Sequence, residues 1–204
     1  MDYHFFAVIS RMKYIDRWAL MRNARAENLS EHSLEVGMIA HALCTIGNVR
    51  YGRNLDADRA ALLGMYHDAS EIVTGDMPTP VKYGNEGIRK SYKEVEKNAV
   101  KRLLAQLPDD LRPVYEKVLL EEEEDENSRY MYRLVKAADK MSALIKCIEE
   151  RQSGNREFET AELSTEKTLK DMAEEYPEVK DFMEEFLPSY GETLDRLLKE
   201  KDND

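Results

Sequence analysis

Cysteine is scarce in this chain: two in 204 residues, Cys44 and Cys147, with no CxxC or zinc-ribbon spacing. Each falls in an apolar helical pattern, which predicts buried thiols in a reducing compartment and excludes a disulfide scaffold. Long apolar runs are missing too. No stretch approaches the roughly 20 residues that span a bilayer. The start, Met1-Asp2-Tyr3-His4-Phe5-Phe6, lacks the basic segment and long apolar core of a secretory leader, so the expected location is cytoplasmic, away from any membrane. Positive charge is in deficit, with 30 Lys and Arg against 41 Asp and Glu and a net charge of −11. That balance argues against a partner that is a nucleic-acid polymer, which demands basic surface. A phosphorylated small molecule stays open, because a local metal and an arginine can reverse the potential inside one pocket. β-branched alternation is nearly absent as well, and the expected fold is all-α.

What is present reads as one domain over 1–204, with 42% hydrophobic and 35% charged residues, long enough to bury around two-thirds of its unfolded surface. Phe5, Phe6, Ile9, Met12 and Ile15 space as one face of a first helix. Ser30 is a good N-cap for a second, through about Asn48. A third, capped by Asp56 or Asp58, is expected to run unbroken to Thr74-Gly75. Two prolines then predict a loop over Asp76-Met77-Pro78-Thr79-Pro80. Later helices are expected near 85–106, 109–120, 127–153, 160–175 and 177–201. The acidic run 121–126 reads as a solvated loop, because side chains crowded along the sequence repel and do not converge on one ion.

The chemistry-bearing residues cluster in pattern. His67-Asp68 lies inside the third helical run, where adjacent side chains point about 100° apart and can straddle one ion. Glu71, three and four residues on, shares their face if the helix is continuous. His32 opens the second helix, and Asp139 interrupts the apolar face of a later one. Two imidazoles and two carboxylates form a mixed nitrogen and oxygen set suited to Mn²⁺, Co²⁺, Fe²⁺ or Zn²⁺. Glu71, on the metal face but not needed as a ligand, is the best general acid or base. Arg17, followed by Trp18, the only tryptophan, is the preferred phosphate clamp, with Arg22 and Arg25 also at hand. Asp76 and Thr79 are candidates to bind a sugar hydroxyl or a base. His4 and His41 read as ordinary surface or core residues, and Glu31 and Glu35 as solvated side chains with no ligand role.

These blocks together resemble the bacterial 5′-deoxynucleotidase family of the HD-domain superfamily of metal-dependent phosphohydrolases. The similarity spans nearly the whole chain. It includes Arg17-Trp18, Glu27-Asn28-Leu29-Ser30-Glu31-His32, Met65-Tyr66-His67-Asp68-Ala69-Ser70-Glu71, Thr74-Gly75-Asp76-Met77-Pro78-Thr79-Pro80 and Lys136-Ala137-Ala138-Asp139. The resemblance implies an HD-type helical bundle, a homodimer, and hydrolysis of deoxyribonucleoside 5′-monophosphates (dNMPs) in preference to ribonucleotides. It implies one divalent ion, with cobalt the characteristic activator, held by His32, His67, Asp68 and Asp139. Arg17 and Glu71 would be catalytic. Arg17, Trp18, His32, Asp68, Asp76, Met77, Pro78, Thr79 and Asp139 would line the substrate. Two alternatives stay open: an HD-type hydrolase of guanosine pyrophosphate alarmones, and a catalytically silent nucleotide-binding dimer module.

Overall fold

The computed structural model describes residues 2–82, 85–120 and 125–199, without the side chains of Thr79 and Pro80. Among the described residues every regular element is helical, and the one extended pairing is an isolated antiparallel bridge between Asp16 and Asn28. The helices are α1 (Phe5–Ile9), α2 (Leu29–Tyr51), α3 (Ala57–Tyr66), α4 (Glu71–Thr74), α5 (Thr79–Lys82) and α6 (Glu86–Leu104). They continue as α7 (Arg112–Leu119), α8 (Glu126–Gln152), α9 (Glu159–Ala173), α10 (Pro177–Glu185) and α11 (Leu194–Leu197).

Several boundaries differ from the expected ones, each for a local reason. The first helix tightens to 3₁₀ geometry over Ser10–Tyr14. The second is capped by Asn28, not Ser30. The Asn28 side chain accepts from the Ser30 and Glu31 amides, and Glu31 returns a bond to the Asn28 amide, closing a capping box. The third helix is not continuous. It stops at Tyr66, and His67-Asp68-Ala69-Ser70 form turns before α4. The loop after Gly75 is shorter than expected: α5 begins at Thr79, and Pro80 sits within its first turn, where its missing N–H costs nothing. The last long helix ends at Glu185, well short of residue 201. Residues 121–124 of the acidic run lie outside the described residues, while Asp125 caps α8 by accepting from the Ser128 amide.

The main core is the seam where α2, α3 and α8 meet, closed by α9 and α10 through Val36, Leu43, Leu63, Leu134, Met141, Leu169 and Phe182. A smaller core joins Phe5 and Ala69 to Val100, Leu103, Leu104 and Leu107. The crossing of α2 and α3 is unusually close because glycines face each other. A Cβ on Gly64 would sit 2.8 Å from both the Cα and the nitrogen of Gly37. That approach brings the end of α3, and therefore His67, beside His32 on α2.

Candidate active site

Two helices and the turn that follows a third each deliver part of one cluster. His32 comes from α2 and is fully buried; His67 and Asp68 come from the turn after α3; Asp139 comes from α8. The two imidazole rings lie 5.2 Å apart, centroid to centroid. His67 Nε2 is 3.0 Å from Asp68 Oδ2 and 3.9 Å from Asp139 Oδ1. His32 Nε2 is 3.6 Å and 3.3 Å from the same two oxygens. Ligand atoms of His32, His67 and Asp68 all lie within 4.8 Å of one another. The break in the helix at Tyr66 does not scatter the set; the turn aims His67 and Asp68 together at α2 and α8.

The opposite face of each ring explains its orientation. His67 Nδ1 donates to the Gly64 carbonyl at 2.7 Å. His32 Nδ1 donates to Ser142 Oγ at 2.9 Å, and that hydroxyl in turn donates a hydrogen bond to Glu35 Oε2 at 2.6 Å. With Nδ1 protonated on both rings, both Nε2 atoms present lone pairs inward, as metal-ligating histidines do. Both Nε2 atoms are buried and have no hydrogen-bond partner. A buried imidazole nitrogen left unpaired is costly; two of them converging between carboxylates fit a divalent cation.

Electrostatics point the same way. Burial opposes charge at His67, yet Asp68 and then Asp139 raise its pKa to about 9. Burial likewise opposes charge on Asp68, but His67 draws it down to about 2. Asp139 is held well below the carboxylate range against burial by His32, Lys140 and His67. The carboxylates thus favour positive charge at this point, either a proton on His67 or a divalent ion between both rings. His32 is driven the other way by burial and by Arg17.

Beside the cluster, Arg17 and Trp18 sit on the loop before α2. Arg17 Nη1 pairs with Glu27 Oε2 at 2.9 Å, and its buried Nε has no partner. Burial works against the guanidinium charge, but Glu27, Asp139, Asp68 and Asp76 outweigh it. Trp18 has a left-handed backbone, φ +57°, the only non-glycine residue so placed among those described. Its indole packs edge-on against Phe158, 5.3 Å between centroids. Glu71 is buried, with an unpartnered Oε2, and burial, Asp68 and Asp76 push its pKa up to about 9 while Lys82 and Arg17 pull it down.

Asp76 Oδ2 accepts the Trp18 amide at 3.2 Å, which ties its loop to the one that carries Arg17. Met77 and Pro78 are half-buried beside it, and the Thr79 side chain lies outside the described residues. Glu35, expected to be a surface residue, instead braces Ser142, and Glu31 caps α2. His41 is at the surface, 3.6 Å from Asp58. Sequence reasoning missed Ser142 and Glu35, although each lies three residues after a candidate ligand on the same helical face. It also missed Glu27, for which no periodic signal exists.

The chain matches the model of the YfbR-like 5′-deoxynucleotidases over residues 4–190. It is 48% identical to a 5′-deoxynucleotidase of Erwinia tasmaniensis over 97% of both chains. It is 47% identical to 5′-deoxynucleotidase YfbR of Escherichia coli over 97% of this chain and 96% of that one. Among solved structures it resembles an HD-domain phosphohydrolase of Listeria innocua, with TM-score 0.77 and 26% identity over 92% and 88% of the two chains. Its fold is also that of a cyanophage S-2L HD phosphohydrolase, DatZ, solved bound to dA and one catalytic Zn²⁺ ion, with TM-score 0.62 and 18% identity over 90% of this chain and 96% of that one. Metal-type ligands, a buried arginine and a protonatable carboxylate thus occur in a chain matched almost end to end by such enzymes: it belongs to the YfbR-like 5′-deoxynucleotidase family and is a phosphomonoester hydrolase of the HD fold.

Proposed function

We propose that this 5′-deoxynucleotidase holds one divalent ion with His32, His67, Asp68 and Asp139 and releases phosphate from dNMPs in preference to ribonucleotides. The observation that carries this reading is the pair of buried, unpartnered Nε2 atoms converging between two carboxylates. A bound ion would polarise a phosphoryl oxygen and lower the pKa of a ligated water. The remaining work falls to the chain. Arg17, with an uncommitted Nε, neutralises and orients the phosphoryl oxygens. Glu71 holds a proton on its unpartnered carboxyl and delivers it to the departing sugar 5′-oxygen as water attacks phosphorus. Trp18, fixed at its ring and its backbone, occupies the space a ribose 2′-hydroxyl would need. His32, Asp68 and Asp139 would also face the phosphate, and Asp76, Met77, Pro78 and Thr79 the rest of the nucleotide.

Cobalt is the activator we favour, because the family resemblance implies it; the two-imidazole, two-carboxylate set itself accepts Co²⁺, Mn²⁺, Fe²⁺ or Zn²⁺. A homodimer is the favoured assembly. Leu34 and Met38 on α2 are more than half exposed, and Met38 and Met65 flank one surface groove. Residues 1–204 would act as one domain in the cytoplasm: both cysteines are buried free thiols, and no described helix is long and apolar enough to cross a membrane.

The test is phosphate release from matched dNMP and NMP panels after chelation, with Co²⁺, Mn²⁺, Mg²⁺ and Zn²⁺ restored singly. Trp18→Ala should lower the dNMP-to-NMP ratio in kcat/KM, by roughly 5- to 150-fold if an unpaired hydroxyl is what the ring enforces. Arg17→Ala should depress both substrates with the ratio nearly intact. Equal turnover of both panels by the parent enzyme would refute the sugar preference. Full activity in chelated enzyme would refute the metal.

A further inference from the structure

The loop that carries Arg17 and Trp18 is closed on itself by its own backbone. The Arg17 amide donates to the Glu27 carbonyl at 2.9 Å, and the Leu29 amide to the Ile15 carbonyl at 2.9 Å. Within this closed loop a single carboxylate oxygen serves two functional groups. Glu27 Oε2 accepts from Arg17 Nη1 at 2.9 Å and from the Trp18 indole Nε1 at 3.1 Å. Both ends of the ion pair are nearly sealed, with side chains 11% and 13% exposed. A carboxylate serving only as counter-ion to a buried arginine favours the two-pronged pairing that matches the guanidinium fork. Here one oxygen is shared with a neutral indole. That arrangement adds nothing to charge neutralisation but fixes the guanidinium and the ring relative to each other.

Two further contacts make the unit rigid. The Trp18 amide donates to Asp76, and the guanidinium carbon of Arg17 lies 5.7 Å from the indole centroid. The left-handed backbone at Trp18 persists only because such contacts over-determine it. We propose that Glu27 is a positioning residue that locks Arg17 and Trp18 into one unit, so that phosphate binding and the choice of a 2′-deoxy sugar are set together. This rests on the roles assigned above to Arg17 and Trp18. It also assigns Glu27 a second effect. Glu27 is the largest electrostatic partner of the Arg17 guanidinium, ahead of Asp139, Asp68 and Asp76, and removing it leaves the guanidinium to those three carboxylates.

Because Trp18 is the only tryptophan, its fluorescence reports on this unit without substrate or turnover. Glu27→Gln and Glu27→Ala are compared with the parent by indole emission, acrylamide quenching, metal content, and kcat/KM for dAMP and AMP. The expected result is red-shifted, more quenchable emission with metal content unchanged. It includes a loss on the order of 10²-fold for dAMP, carried mainly by KM, and a dAMP-to-AMP ratio reduced roughly five-fold or more. Glu27→Gln, which keeps the shape and one acceptor, should fall between parent and Ala, and it decides the matter alone if the alanine variant fails to fold. In a Trp18→Ala background, Glu27→Ala should no longer change the ratio.

If Trp18→Ala changes the ratio while the Glu27 variants leave ratio and emission untouched, Glu27 is only a counter-ion and the proposal is overturned. If Trp18→Ala itself leaves the ratio unchanged, the sugar role of Trp18 fails, and the shared-positioning claim falls with it unless emission and KM still move together in the Glu27 variants. Unmoved emission with intact KM overturns it outright.

Discussion

Two buried clusters of charge flank the loop over residues 15–28, and they are built on opposite principles. On one side, Glu150 of α8 accepts from the Ala24 amide at 2.7 Å, the Arg25 amide at 3.2 Å and Asn155 Nδ2 at 2.6 Å, and it pairs with buried Lys146 one turn away. Asn155 in turn bonds the Arg22 carbonyl. Both Glu150 oxygens are occupied. On the other side, the cluster of His32, His67, Asp68 and Asp139, with Arg17 and Glu71 beside it, leaves His32 Nε2, His67 Nε2, Arg17 Nε and Glu71 Oε2 without partners. Desolvating a polar atom is tolerable when its bonds are replaced and costly when they are not. The closed cluster therefore reads as scaffold, pinning the loop to α8. The open one reads as a site whose missing bonds are made by ligand.

That contrast can be broken by experiment, starting where the effect should be largest. His67→Ala or Asp68→Ala should reduce turnover to background and empty the metal site, measured by phosphate release and metal analysis of the purified protein. Stoichiometric metal with near-normal activity in either variant would remove the open cluster from consideration. Glu71→Ala should lower turnover on the order of 10²–10⁴-fold while metal and nucleotide still bind. Loss of the metal together with activity would make Glu71 a ligand instead.

Ser142→Ala probes the boundary between the two kinds of cluster. It removes the hydroxyl that orients His32 without touching a ligand, so metal affinity should weaken about 10- to 100-fold, read by competition with a metallochromic chelator. Unchanged affinity would mean that packing alone orients the ring. Glu150→Gln should have the smallest effect on metal, leaving stoichiometry intact and acting on stability instead. Burial raises the Glu150 pKa, but Lys146, the Ala24 amide, Asn155 and the Arg25 amide lower it from 4.5 to about 2. A folded-state pKa below the unfolded one contributes stability above about pH 4.5 that is lost as pH falls through about 2. The variant should thus be less stable than the parent at neutral pH, on the order of 2 kcal/mol, and the gap should close under acid. A gap that widens on acidification would contradict the assignment of Glu150 as a closed, ionised anchor.

Much of this was legible along the chain because it is local. Helix periodicity identified an all-α fold. Asp56 was readable as one of two candidate caps of α3, and Gly75 as the residue at which this helical stretch ends. His32, His67, Asp68 and Asp139 were readable as candidate ligands because a divalent ion accepts only a short menu of side chains. The helix break at Tyr66 was not readable, since Ala60 to Val73 has helix-forming composition throughout. It is set by tertiary packing, with Ala69 drawn into the smaller core beside Phe5 and Leu103.

By itself, the sequence determined which residues could form helices, which could bind a metal, and which blocks mark the family, because propensity and ligand chemistry are properties of single residues and short spacings. Only the tertiary structure decided which atoms were left open. The Gly37–Gly64 approach sets the distance between His32 and His67. The Ser142–Glu35 chain turns one ring inward, and Glu27 joins Arg17 to Trp18 across ten residues of loop. Whether a buried atom is satisfied depends on neighbours that arrive from distant parts of the chain, and no local pattern encodes their arrival.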